Sequence, residues 1–343
     1  MSTIALQDKV AITIPCYNEV AYIEKCIMSF IQQNYPAQCI SIFVADGMST
    51  DGTREIIQKL GTQYPQVILI DNVAKVTPVA LNLGTKASDA PIQIIFGAHA
   101  EANPDFVLEC VKSLDENPNA GLVGGIIENV YETPTSEIIG KSMSSLFGVG
   151  NAHFRTGTAE GEVDTVAFGA YRKKVLEEVG YFDEDLVRNQ DDELSYRILK
   201  AGHKIILHKK IRSTYFVRGS YGKLFKQYYQ YGYWKVYVNK KHNAITTIRQ
   251  LIPFGFVSLL LLGLLTILAF RPFLFIYLAG ILIYLLTSAL FASRKANSGK
   301  EVLGLMFAFA ILHFSYGYGY LVGIVDFYVL GKKPGARNTE ISR

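Results

Sequence analysis

The chain has 343 residues, 50% of them hydrophobic, and a mean hydropathy of +0.19, which together exclude a disordered or purely hydrophilic protein. The net charge of +4 hides an asymmetry: residues 1–193 hold 13 Lys and Arg against 27 Asp and Glu, whereas residues 194–343 hold 21 against 3. The basic half runs into apolar stretches, so its expected partner is membrane lipid and no nucleic acid is expected.

Val10–Ile14 (VAITI) reads as a buried parallel strand ending at Pro15. Ile23, Ile27 and Ile31 then recur at helical spacing, up to Asn34-Tyr35-Pro36. Ile40–Ala45 is a second strand ending at Asp46-Gly47, and Asp51-Gly52 opens a helix, with Asp51 as its cap. Val67–Ile70 is a third strand, Val79–Ala87 a helix, and Ile92–Phe96 a fourth strand ending at Gly97. Asn103-Pro104 is a helix start signal. Gly121–Val130 and Val163–Phe168 are further strands, and Lys204–Leu207 is the last. This alternation predicts an α/β domain with a mostly parallel sheet and a ligand site at the carboxyl ends of its strands. The absence of GxGxxG after the first strand and of GxxxxGK[ST] argues against a dinucleotide enzyme and a P-loop NTPase. Cys16, Cys26, Cys39 and Cys110 form no CxxC pair and read as reduced thiols in a cytosolic domain. No signal-peptide pattern is visible in the first ten residues.

Asp191, Asp192 and Glu193 stand together at a predicted helix start, and the next carboxylate is Glu301. Residues 218–241 mix tyrosines and lysines with the only tryptophan and no acid. That mixture suits a helix in the headgroup layer; the alternative is a soluble amphipathic helix packed on the catalytic domain. Leu251–Phe270 is twenty uncharged residues, about 30 Å as a helix, one hydrocarbon thickness. Phe273–Ala292 is a second such run and Val302–Val325 a third. The basic loop Arg294–Lys300 is expected to be cytoplasmic. Three spans would put Lys332, Lys333 and Arg337 on the other side, so either the third segment is re-entrant or the charge rule is weak here.

VAITIPCYNE (10–19), VADGMSTDGT (44–53), ALNLG (80–84), FGAYR (168–172) and FDEDLVRNQDDELSYRI (182–198) resemble, in order, the motifs of family 2 glycosyltransferases with a GT-A fold. Within that family they are most similar to membrane-anchored bacterial enzymes of exopolysaccharide assembly, of the succinoglycan glucosyltransferase type. The resemblance covers roughly residues 8–240 and implies a GT-A domain over 1–215; composition and hydropathy add an interfacial segment over 216–250, a membrane domain over 251–330 and a basic tail over 331–343. It implies that Pro15, Glu19, Asp46 and Asn82 bind the nucleotide sugar, and that Asp191 is the general base toward the acceptor hydroxyl. Asp192 and Arg197 would contact or orient the acceptor side, and Arg218 would meet the diphosphate. The family usually places Asp-x-Asp where this chain reads Phe96-Gly97-Ala98-His99, so Gly97 removes one metal ligand and His99 is left as the candidate for Mn²⁺ or Mg²⁺. Gln190 stands where the family usually has Glu.

The implied activity is inverting transfer of a UDP-linked sugar to a polyprenyl-diphosphate-linked saccharide, at the cytoplasmic face of a bacterial inner membrane. Two other readings are a processive polysaccharide synthase and a degenerate nucleotide-binding membrane protein.

Overall fold

The computed structural model describes residues 8–217 and 219–333. Arg218 and Arg337 lie outside the described residues. The chain forms two compact units, Met1–Asn129 with His153–Phe216, and Val130–Ala152 with Val217–Arg343.

The first unit is built on a mostly parallel sheet. Strand β1 (Val10–Cys16) pairs in parallel with β2 (Ile40–Asp46) on one side and β4 (Ile92–Ile95) on the other, and β3 (Val67–Asp71) extends the sheet beyond β2. Helices α1 (Ile23–Ile31), α2 (Thr53–Gln63) and α3 (Thr77–Lys86) make the crossovers. The central strands read as continuous apolar runs because both faces are covered. Ile12, Ile14, Ile42, Val44 and Ile94 are fully buried with Ile23, Ile27 and Phe30 of α1.

Beyond β4 the sheet becomes mixed. After β5 (Ala100–Ala102) and α4 (Phe106–Glu116) comes β6 (Ala120–Val130). The chain then enters the second unit through α5 (Pro134–Met143) and α6 (Leu146–Val149), and returns with α7 (His153–Thr156), β7 (Gly161–Glu162), β8 (Ala170–Arg172) and α8 (Lys173–Val179). Helix α9 (Gln190–Lys200) and β9 (Lys204–Phe216) complete the first unit. The strand order is β3-β2-β1-β4-β8-β6-β9-β5, with β7 on β9.

Three local expectations need correction. Val163–Phe168 is irregular rather than a strand, with short strands on either side of it. Phe168 adopts φ +52°, which a strand cannot contain, and Gly169 packs against Leu122 and the Val123 carbonyl. The helix after Asn103-Pro104 starts at Phe106; Asn103 accepts from the Phe106 amide in a preceding turn instead of capping. The last strand runs on to Phe216 because β5 and β7 both pair with it. Among the described residues no cysteine forms a disulfide, and Cys16, Cys26 and Cys110 are buried.

In the second unit, α10 (Tyr221–His242) precedes the apolar helices α11 (Leu251–Ala269) and α12 (Phe273–Ser293) and the longer α13 (Gly299–Ile324). The last three helices are long and apolar enough to cross a membrane. A π-helical turn, Val325–Val329, follows α13.

Gly125 in β6 leaves no room for a side chain. A Cβ there would lie 1.7 Å from the Ile211 carbonyl oxygen of β9. Gly125→Ala must push the two backbones apart, and its expected cost is about 3 kcal/mol. Thermal melting of the detergent-solubilised chain would read this as a lowered midpoint.

Candidate active site

The parallel register brings the ends of β1, β2 and β3 level, with Cys16 opposite Asp46 and Asp46 opposite Asp71. The loop after β1 is tied to the loop after β2. Asn18, at φ +53°, donates its amide to Ser49 Oγ at 2.7 Å and accepts from the Thr50 amide at 3.0 Å. The Glu19 amide donates to Thr53 Oγ1 at 2.9 Å. Asp51 accepts from the Val20 amide and from the Thr53 amide and hydroxyl. Partial burial pushes the Asp51 carboxyl up, but these hydrogen bonds outweigh it and hold it below the usual carboxylate range. Asp51 thus starts α2 from one position before the left-handed Gly52, which is the N-cap residue.

Asp46 is fully buried and charge-compensated. It accepts from the Ser49 amide (2.9 Å) and hydroxyl (2.5 Å) and from Arg54 Nη1 (2.8 Å). Arg54 Nη2 continues to Asp71 at 2.7 Å. Hydrogen bonds to Asp71 and then Asp46 raise the guanidinium's pKa. A buried carboxylate without such partners would cost several kcal/mol, so Arg54 is the condition for Asp46 at this strand end.

Glu19, 7% exposed, faces the end of β4, where His99 Nδ1 lies 3.5 Å from its Oε1. His99 also stands edge-on to Tyr215 of β9, with ring centres 5.1 Å apart. The Arg155 guanidinium lies 5.5 Å from the centre of the same Tyr215 ring, and its buried Nη1 finds no hydrogen-bond partner among the described residues. Sequence reasoning missed Arg155. The available signal was an arginine beside an aromatic residue in a half of the chain poor in basic residues.

Gly97 does not need a left-handed backbone; its reason is Phe168. A Cβ at Gly97 would fall 2.8 Å from Phe168 Cε1, and that ring is held 4.7 Å from the Phe96 ring. An aspartate at this position would have to displace the Phe168 ring. Among the described residues no three His, Cys, Asp or Glu side chains gather closely enough to hold a metal ion. The chain offers His99 with Glu19 beside it, which is an incomplete shell; oxygens from a bound diphosphate would have to complete it.

The acid cluster opens α9, after Asn189 at φ +62°. Asp191 is exposed, and its Oδ1 accepts from the Asp192 amide at 2.9 Å. Burial and then the Asp191 charge raise the Tyr171 phenol in β8, so Asp191 acts electrostatically on the strand beside β4. Glu193, 1% exposed, is held by Arg197 in two hydrogen bonds of 2.8 and 2.7 Å. Arg197 also donates to the carbonyls of Val179 and Tyr181. Its guanidinium is spent on Glu193 and that turn, and not on Asp192. Asn82 is likewise committed: its amide donates to the Phe182 carbonyl (2.9 Å) and Glu184 Oε1 (2.8 Å), and its oxygen accepts from the Phe182 amide (3.0 Å). It pins the turn leading to α9. Pro15 sits inside β1 opposite Ala45.

Comparison with known proteins places these features in a family. The family model described as glycosyl transferase family 2 matches residues 11–180. A Methanococcus voltae protein, dolichyl N-acetyl-alpha-D-glucosaminyl phosphate 3-beta-D-2,3-diacetamido-2,3-dideoxy-beta-D-glucuronosyltransferase, is 30% identical over 92% of this chain and 97% of its own length. The succinoglycan biosynthesis protein ExoA of Rhizobium meliloti is 31% identical over 71% of this chain and 73% of its own. Among solved structures, the mannosyltransferase PcManGT of Pyrobaculum calidifontis, in complex with GDP-Man and Mn²⁺, superposes with a TM-score of 0.60 at 18% identity. That match covers 95% of this chain and 88% of the other, a likeness of fold.

The Gly97–Phe168 contact is testable by metal binding. Gly97→Asp alone should not tighten Mn²⁺ binding and should lower the melting temperature, because the new side chain meets the Phe168 ring. Gly97→Asp with Phe168→Ala should bind Mn²⁺ more tightly than either single variant. Titration calorimetry on the purified chain with nucleoside diphosphate present checks both.

Proposed function

The chain belongs to glycosyl transferase family 2, and from that premise we propose that it transfers a sugar, with inversion, from a nucleotide donor to a lipid-linked saccharide. The observation that carries this reading is the convergence of Glu19, Asp46 and His99 at the carboxyl ends of three neighbouring parallel strands. Glu19 and Asp46, with Pro15 in the strand that Glu19 follows, would receive the nucleoside through its base N–H and ribose hydroxyls. Asn82 would serve the site by holding the turn before α9.

In the reaction, the acceptor hydroxyl gives its proton to the Asp191 carboxylate. The oxygen attacks the anomeric carbon, and the bond from that carbon to the diphosphate oxygen breaks, its electron pair leaving with the diphosphate. Asp192 would contact the acceptor, and Arg197 would position α9 through Glu193. A divalent ion at His99 would supply charge for the leaving group, with Mn²⁺ preferred over Mg²⁺ because imidazole suits it better. Arg155, stacked on the ring that His99 also faces, would meet the same phosphates from the protein side. Arg218 keeps its proposed diphosphate contact, outside the described residues.

A UDP-linked donor rests on the motif resemblance. A polyprenyl-phosphate-linked acceptor is supported by the printed activity of the Methanococcus voltae relative. The apolar helices support a membrane location, and transfer on the cytoplasmic face of a bacterial inner membrane is the arrangement this reading favours. Turnover of radiolabelled nucleotide sugars by membranes, with extracted lipid acceptors, tests donor and acceptor together.

Asp191→Asn keeps the side-chain shape and removes the proton acceptor. Its turnover should fall by at least about 10²-fold, with nucleotide-sugar binding nearly intact. Asp192→Asn should cost less, and joint loss of turnover and nucleotide binding in both variants would return these acids to a purely structural role. Arg155→Gln should lower kcat by about 10²-fold, while Arg155→Lys, which keeps the charge but not the planar fork, should recover part of it. Steady-state kinetics with a saturating acceptor separates these effects from loss of donor affinity.

A further inference from the structure

We propose that only α11 and α12 cross the bilayer, and that α13 lies along the membrane surface beside α10, returning the chain to the face it came from. This does not rest on the glycosyltransferase reading.

The first observation is that α13 runs beside α10, in the same direction, from Phe307 onward. Tyr221 meets Phe307 at 5.1 Å between ring centres, and Tyr229 meets Tyr318 at 5.7 Å. Asn239 Nδ2 donates to the Tyr320 hydroxyl at 3.0 Å, the Tyr233 hydroxyl to Asp326 at 3.0 Å, and Lys240 Nζ to the Phe327 carbonyl. The backbones touch at glycines: a Cβ at Gly232 would lie 2.0 Å from the Tyr316 oxygen, and one at Gly319 would lie 2.1 Å from the Tyr229 oxygen. Helices packed this closely share one orientation to the membrane. Yet α10 carries Lys223, Lys226, Lys235, Lys240 and Lys241, spread over about 27 Å of helix. Crossing the hydrocarbon would cost about 2.5–3.5 kcal/mol for each lysine near its centre. If α10 cannot cross, neither can α13.

The second observation is how apolar surface is distributed. Over their most apolar stretches α11 and α12 are 11% and 6% buried, with mean hydropathies of 2.5 and 2.3; α13 is 44% buried with 1.5. The large exposed apolar side chains are Leu303, Phe307, Phe314 and Tyr318 of α13, with Val325, Tyr328 and Val329 of its following turn. Those of α13 recur after four and then seven residues, which marks one stripe along the helix, as on a helix lying in the interface.

The third observation is where α13 meets the hairpin. It contacts α11 through that helix's first two turns: Phe254 faces Tyr320, and Gly317 packs on Pro253 and Val257. It contacts α12 at mid-helix, where the Tyr284 hydroxyl and His313 Nδ1 are 3.0 Å apart. From Leu259 to Leu282 the hairpin exposes leucines and phenylalanines and carries one charge, Arg271, at its turn. Thus α13 packs on the half of the hairpin away from its turn.

Two crossings also remove the charge conflict of three. Lys240, Lys241, Arg294, Lys295, Lys300, Lys332 and Lys333 then share one face, and Arg271 alone reaches the other.

The test is the parity of crossings. Arg271→Cys, Asn297→Cys and Lys333→Cys would each be made in the full chain with Cys39→Ser, and labelled with a membrane-impermeant maleimide on intact and on opened cells. Lys333→Cys and Asn297→Cys should label from one face and Arg271→Cys from the opposite face. Lys333→Cys labelling from the same face as Arg271→Cys would establish three crossings and overturn the proposal. So would Arg271→Cys labelling from the face of Asn297→Cys, because the hairpin would then not cross. Pro272→Cys and Lys332→Cys repeat the measurement should a first variant fail to accumulate.

Discussion

The polar features of the first unit depend on the parallel pairing of β1 with β2 and β4. Parallel strands end together, so the loops that follow them must share one edge. Register supplies the detail: Asp46 is opposite Cys16, and the Phe96 amide just beyond β4 donates to the Thr13 carbonyl. Glu19, Asp46 and His99 come from three strand ends far apart in the chain and meet because their strands are neighbours. A one-residue slip would turn every buried isoleucine of β1 to the other face, so the core and the polar edge are specified by the same pairing.

Within that edge, burial and charge compensation go together. Glu193 and Asp46 are buried and each holds an arginine. Asp191 is exposed at the first turn of α9, where the helix dipole favours a carboxylate without neutralising it. Arg197 and Asn82 both grip the segment from Val179 to Glu184, which leads into α9. The acids thus stand on a rigid support although the turn before them has no regular structure.

The second unit is organised by close packing of small residues. Gly232, Gly317 and Gly319 let backbones approach where any side chain would collide. Buried polar groups, including Asn239 and Asp326, find partners across the same helix pair. The hairpin of α11 and α12 shows the opposite character, with long exposed apolar faces that water would not tolerate.

Local pattern alone was enough for much of this. Strand–helix alternation, the apolar lengths of the last three helices and the acids at a helix start are properties of neighbouring residues, and each was legible in the sequence. What needed the tertiary structure were choices between partners distant in the chain. Arg197 could have held Asp192 or Glu193; burial of Glu193 decides it. Asn82 looked like a ligand residue, and its amide is committed a hundred residues away. Gly97 looked like a lost metal ligand, and the Phe168 ring, 71 positions on, occupies the space. Val163–Phe168 had a strand's composition, but Phe168's left-handed backbone breaks it. The third apolar helix had the length of a span, and its contact with a lysine-bearing helix is what bears most on its orientation. Periodicity records what a residue prefers, whereas these outcomes were set by which surfaces the fold brought together.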